Sequence, residues 1–285
     1  MLAYRHAFHA GNHADVLKHV VFAEVLRHMA AKDKPFTVLD THAGAGGYSL
    51  ESRYAQQNAE ADTGIGRLWG RDDLPSALAR YVDLVRDFNG GGKKLEQYPG
   101  SPAIAHLLLR PTDPLHCYEL HATDERILRA YLRERTHGKV TLGDGFAALA
   151  HELPPPSRRG VLLIDPPYEL KADYARTLAA AREALSRFAT GVILVWVPQL
   201  ATVDSRELPR RLLNAAASAT GATKGALHAR LTVAETDARG FGMTGSSMVV
   251  VNPPHGLADT LREVLPYLAK VLGQFAGASH LLDVK

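Results

Sequence analysis

The chain has 285 residues, enough to bury a full core as one α/β domain or as one domain carrying an insertion. Its composition, 46% hydrophobic and 22% charged, is that of an ordinary globular protein, and no apolar stretch reaches the roughly 18–20 residues of a membrane span. The net charge of +3 makes no case for nucleic acid by itself, and the single cysteine, Cys117, excludes an intrachain disulfide and a cysteine-based zinc site.

The first ten residues are irregular and polar-aromatic. They lack the apolar core of a signal peptide, and with the lone cysteine this predicts a cytoplasmic protein. His6, His9, His13 and His19 fall in the first 19 residues, and His28 follows. No acidic or cysteine partner except Asp15 sits at ligand spacing, so no metal site is expected. Gly11 to Asp15 can open an amphipathic helix running from Val16 to Met29, which Lys32-Asp33-Lys34-Pro35 stops. Phe36 to Asp40 is a short buried strand, followed at once by the glycine-rich run Gly44-Ala45-Gly46-Gly47.

The next strong strand begins only at Leu115, too far for one crossover helix. Residues 51–95, with a helical run over Leu74–Phe88, therefore form an insertion, and Ser101–Arg110 is the crossover helix with Pro102 in its first turn. Beyond it strands at 115–120, 139–143, 160–165 and 191–197 alternate with helices at 123–135, 146–152, 171–187 and 204–219. Strands at 226–235 and 246–251 have no helix between them and should pair antiparallel at one edge, before a last helix near 257–273. Residues 1–50 and 96–285 thus read as a Rossmann-like α/β domain, a seven-stranded and mostly parallel sheet with helices on both faces.

In such a sheet ligands sit at the carboxyl ends of the strands. After the first strand, Gly44 and Gly46 let the backbone approach a ligand closely. Position 49 is Ser, so the dinucleotide fingerprint is absent, and no phosphate-binding Gly-Lys-Ser/Thr occurs. Glu119 ends the second strand, where an acid suits ribose hydroxyls, and Asp144-Gly145 follows the third, placed to read an adenine amine. The fourth strand ends in Asp165-Pro166-Pro167-Tyr168. Asp165 can accept one hydrogen of an exocyclic amine and the Pro166 carbonyl the other. Neither proline donates an N–H, and Tyr168 can stack on the ring. Four successive strand ends describe a class I methyltransferase fold holding S-adenosylmethionine, with methyl transfer to an amino nitrogen. Val251-Asn252-Pro253-Pro254-His255 looks similar, but it follows the last strand and lacks the stacking ring.

With these residues in place, the chain resembles over essentially its whole length the bacterial RlmJ family, the 23S ribosomal RNA adenine-N6 methyltransferases. The matching pieces are residues 4–19, Leu39 to Gly46, Tyr98-Pro99-Gly100-Ser101-Pro102, Ser157 to Gly160 and Ile164 to Glu169. The opening is the most specific, because a generic methyltransferase does not carry it. The resemblance implies that His19, His42, Ser101, Glu119, Asp144 and Asp165 contact the cofactor or line its pocket, with Lys18 and Gly145 nearby. It implies that Asp165 is catalytic, that Tyr4 and His6 belong to an N-terminal lid meeting RNA, and that 51–95 is a small helical subdomain. Gly47 stands where some relatives carry a larger residue. Tyr4, His6, Phe8 and Tyr168 suit stacking on unpaired RNA, and Arg5, Lys18, Arg158 and Arg159 are candidate phosphate contacts. The expected partner is 23S ribosomal RNA, with no membrane, and a monomer is expected because no helix shows a surplus apolar face. A DNA adenine methyltransferase would share the catalytic strand end but lacks its DNA-reading domain here. A protein glutamine methyltransferase would need Asn at position 165. A non-catalytic ribosome-assembly factor would not need Asp165 at all.

Overall fold

The computed structural model describes residues 6–133, 138–219, 224–236 and 242–285. Tyr4 and Arg5, and residues 134–135 of the helix expected over 123–135, lie outside the described residues.

Eight strands form one twisted sheet. They are β1 (Thr37–Asp40), β4 (Leu115–Glu119), β5 (Gly138–Leu142), β6 (Gly160–Ile164), β7 (Val192–Gln199), β8 (Ala226–Thr232), β9 (Gly245–Val251) and β10 (Ser279–Val284). A separate two-stranded ribbon pairs β2 (Gly47–Ser49) with β3 (Gln97–Pro99). The order across the large sheet is β10-β8-β9-β7-β6-β1-β4-β5. From β5 to β7 all neighbours run parallel, whereas β9, β8 and β10 pair antiparallel. The expected seven strands are all present. The β8–β9 pair does not close the sheet, because β10 returns after the last helix and pairs along β8.

The strands of the parallel half alternate between two cores, as period-two side chains must when both faces are covered. On β6, Val161 and Leu163 enter one hydrophobic cluster while Leu162 and Ile164 enter the other. The first face carries α1 (His13–Ala30), α4 (Ser76–Phe88), α5 (Ser101–Leu108), α6 (Ala122–Arg133) and α10 (Leu257–Leu272). The second carries α7 (Gly145–Glu152), α8 (Lys171–Arg187) and α9 (Val203–Ala217).

Two elements differ from the sequence reading in a way that bears on function. The helix expected to be amphipathic, α1, is buried almost all round, because α4, α5, α10 and β9 enclose it. Its first turns bury His13, Asp15, Lys18 and His19, polar groups that a solvent-facing helix would expose. Asn12 caps it, its side-chain oxygen accepting from the Ala14 and Asp15 amides. Residues 53–88 contain α2 (Arg53–Asn58), α3 (Glu60–Thr63) and α4, and Ile65, Leu68, Leu78, Tyr81 and Val85 share one core with α1. At Gly64 an added Cβ would stand 2.1 Å from the Gly11 carbonyl oxygen, so this segment is pressed against the entry to α1.

Candidate active site

The strand order turns at β1, which has β4 on one side and β6 on the other, and the crevice forms above their carboxyl ends. A cavity of about 290 Å³ opens there. Lys18, His19, His42, Gly44, Ser101, Glu119 and Asp165 all line it, together with Pro166, Tyr168 and His6. Residues from α1, from the loops after β1, β4 and β6, and from the start of α5 therefore meet in one place, as the sequence reading expects.

A buried ionic chain runs along one wall. The Lys18 Nζ lies 2.6 Å from Asp165 Oδ2 and 2.9 Å from Asp15 Oδ1. Asp15 Oδ2 accepts from the Gly11 amide at 2.9 Å and meets His6 Nε2 at 2.9 Å. Burial works against charge on Asp15, but His6 and Lys18 outweigh it and hold its carboxyl well below the usual range. Burial likewise disfavours the Lys18 cation, and its two carboxylate neighbours override it and raise its pKa well above normal. Lys18 is thus a permanent ammonium fixing one oxygen of Asp165.

The loop after β1 is shaped by other groups. Gly44 has φ +61°, and a Cβ there would stand 2.3 Å from the Tyr48 hydroxyl oxygen, so only glycine fits. Its amide donates to Glu119 Oε2 at 2.8 Å, and the His121 amide donates to Oε1 at 2.7 Å. Burial raises the Glu119 pKa despite these donors. Each oxygen keeps a lone pair for a hydroxyl in the cavity. Ser101 Oγ donates to Asp40 Oδ2 at 2.6 Å, and the His42 amide donates to Asp40 Oδ1 at 3.2 Å. Burial pushes the Asp40 carboxyl up to about 6. Asp40 ends β1 as Glu119 ends β4, so the reasoning that found Glu119 applies to it equally.

Three expected cofactor residues are not on the cavity wall. Gly46 has φ +82° and would direct a Cβ onto Leu128. Gly145 packs against β1, a Cβ there falling 2.1 Å from the Thr41 carbonyl oxygen. Asp144 caps α7, accepting from the Phe146 amide at 2.9 Å, and its other oxygen pairs with Arg176. Asp144 and Gly145 shape the layer behind His42, whose ring meets Phe146 edge-on at 4.7 Å.

Beyond Asp165 the chain turns sharply, and Tyr168 adopts φ +53°, a left-handed conformation rare for an aromatic residue. Its hydroxyl donates to the Trp196 carbonyl at 2.7 Å, and its ring packs on Tyr174 at 4.7 Å and Trp196 at 5.9 Å. The ring forms part of the cavity wall from a braced position. Asn252, by contrast, closes β9 at the opposite end of the sheet and ties the Lys224 amide to the Ala189 and Gly191 carbonyls. Its segment has a structural job away from the cavity.

Among the described residues, the cavity-lining His19 Nε2, His121 Nδ1 and Trp196 Nε1 have no hydrogen-bond partner. His19 is fully buried and its Nε2 is unbonded, whereas its Nδ1 lies 2.8 Å from the Tyr98 hydroxyl. A free imidazole nitrogen, an acidic strand end at Glu119 and a glycine bend at Gly44 around one cavity fit a ligand with polar groups along its length. No group of three or more metal-ligating side chains clusters among the described residues.

A family model described as ribosomal RNA large subunit methyltransferase D, RlmJ, matches residues 33–282. The chain is 46% identical to ribosomal RNA large subunit methyltransferase J of Escherichia coli K12, over 98% of this chain and 97% of that protein. It is also 46% identical to the protein of the same name in Haemophilus influenzae, over 95% and 94% of the two chains. Among solved structures, protein LPL1258 of Legionella pneumophila superposes with a TM-score of 0.84 at 31% identity, covering 97% of this chain and 98% of that one.

Proposed function

The chain belongs to the RlmJ family of ribosomal RNA large subunit methyltransferases, and from that membership and the cavity we propose how its own residues methylate N6 of an adenine in 23S ribosomal RNA. The cofactor is S-adenosylmethionine, which supplies an electrophilic methyl group on a sulfonium centre. The observation that carries the reading is Asp165, which lines the cavity at the end of β6 with one oxygen pinned by Lys18.

The target adenine must leave its stack to reach such a cavity. The free lone pairs of Asp165 accept a hydrogen from the N6 amine and turn its lone pair toward the methyl donor. As the new C–N bond formed and the sulfonium C–S bond broke, leaving neutral S-adenosylhomocysteine, positive charge would grow on nitrogen. The fixed carboxylate would offset it, and one N6 proton would then be lost to solvent. Lys18 keeps Asp165 aimed, so little reorganisation is left for the reaction step. Holding the two reactants in line supplies roughly 7–11 kcal/mol in well-oriented systems. The Tyr168 ring, braced through its hydroxyl, offers a face to the base, and Pro166 adds a wall with no competing N–H donor. Glu119 receives ribose hydroxyls of the cofactor, and His42, Gly44 and Ser101 shape the neighbouring wall. His6 and Tyr4 serve the RNA side.

Incubation of the protein with labelled S-adenosylmethionine and either transcribed 23S RNA or adenine-containing duplex DNA tests this reading. Label appears in N6-methyladenosine from RNA. Label only in DNA, or in no nucleoside from RNA, overturns it.

A further inference from the structure

His19 ends a buried hydrogen-bond chain that begins outside the sheet. Tyr81, on α4 within the 51–95 segment, has its hydroxyl 2.6 Å from that of Tyr98 on β3, and the Tyr98 hydroxyl lies 2.8 Å from His19 Nδ1. Tyr81, Tyr98 and His19 are at most 1% exposed. The Tyr81 hydroxyl makes no other hydrogen bond among the described residues.

That dead end sets the direction of the chain. If His19 carried its proton on Nδ1, it would donate to Tyr98, Tyr98 would donate to Tyr81, and the Tyr81 proton would be stranded in the core. A buried unmade hydrogen bond costs roughly 1–3 kcal/mol. In the opposite direction Tyr81 donates to Tyr98, Tyr98 donates to Nδ1, and every buried hydroxyl proton is used. The imidazole proton then sits on Nε2, the unpartnered atom of a cavity-lining residue. Burial, reinforced by the Lys18 charge, pushes the His19 pKa well down, so the ring stays neutral and has one proton to place.

We infer that Tyr81 and Tyr98 are positioning residues that lock His19 as an Nε2–H donor facing the carboxylate of the cofactor's amino-acid end. The assignment rests on the S-adenosylmethionine reading above. Of the groups on that cofactor, only the carboxylate is an anion, and Glu119 and Asp165 on the other walls repel it. His19 lies beside Lys18 on α1, where a buried cation and an unused N–H adjoin. The segment 51–95 thereby contributes to cofactor binding through Tyr81 without touching the ligand.

The test reads His19 directly. Nitrogen-15 correlation spectra of the imidazole in the wild-type protein should show a protonated Nε2 and an unprotonated Nδ1, with and without S-adenosylhomocysteine. By calorimetry Tyr98→Phe should weaken S-adenosylhomocysteine roughly tenfold or more, the scale of one hydrogen bond to a charged acceptor. It should leave 5′-methylthioadenosine, which lacks the amino-acid end, unchanged. His19→Gln, which carries an amide N–H near the Nε2 position, should bind S-adenosylhomocysteine more tightly than His19→Asn. A proton on Nδ1 in the wild type overturns the inference, as does equal weakening of both ligands or no weakening of either in Tyr98→Phe. If the wild-type protein bound neither ligand, the methyltransferase reading would fail instead, while the spectra would still report the tautomer.

Discussion

Lys18 is the side chain on which two carboxylates depend, the buried Asp15 and the half-buried Asp165. With Asp15 2% and Lys18 5% exposed, removing the ammonium leaves like charges facing each other in a poorly solvated site. Lys18→Met should therefore cost roughly 3 kcal/mol in urea unfolding, the scale for breaking a buried pair from one side. An unchanged unfolding midpoint would show that the site is hydrated enough to screen both acids. At this scale the sequence exposed the groups that end strands or sit in tetrapeptides, such as Glu119 and Asp165. It did not expose the pairing of Asp15 with Lys18, of Tyr81 with Tyr98 or of Trp196 with Tyr168, because each depends on which side chains face one another once the elements pack. Asp144 and Gly145 stand at the strand end read for them, where Asp144 also caps α7 and Gly145 packs against Thr41.

Elements were legible where period and punctuation agreed. The parallel half was readable from apolar runs ended by acids or glycines, and α8 spans 171–187 as its pattern predicts. Strand β10 was not readable, because Ser279 to Val284 is mostly exposed and its only signature is the neighbour it pairs with, β8. The β2–β3 ribbon was hidden for a similar reason, each strand being three residues long. It nevertheless presents Tyr48 to the cavity and Tyr98 to His19. The segment 51–95 reads as polar along its length, yet its inner face joins the core of α1. Gly64→Ala tests that junction, since the new methyl group meets the Gly11 and Asn12 backbone rather than a flexible side chain. It should destabilise the fold by about 1–3 kcal/mol, as overpacking does. Gly92→Ala, whose nearest neighbour would be 3.5 Å away, should be nearly neutral in the same denaturation assay. Equal stability of the two variants would mean that the segment is not pressed onto α1.

Across the whole molecule, buried histidines set the response to acid. Burial holds His13 and His228 down to about 4 and His42 down to about 3. Between those values and the ordinary 6.5, the unfolded chain binds protons that the folded protein refuses. Their stabilisation is complete above pH 6.5 and is lost as pH falls toward 4. Asp40 acts oppositely, because its carboxyl, at about 6, binds a proton more readily folded than unfolded, so it gains stability as pH falls through 6. Three histidines outweigh one carboxylate, and urea unfolding should show stability declining from pH 6.5 to 4.5. A rise over that interval would mean that these histidines are solvated. At the same scale, no helix among the described residues is long and apolar enough to cross a membrane. The measurement that bears most directly on the account pairs two readouts on wild type and Asp165→Asn: methyl transfer to N6 of adenine in 23S RNA, and calorimetric binding of S-adenosylhomocysteine. The account predicts a fall in transfer of roughly 10²-fold or more, as for loss of a preorganised charge at the reacting atom, with cofactor binding largely kept. Transfer at the wild-type rate in Asp165→Asn would contradict it.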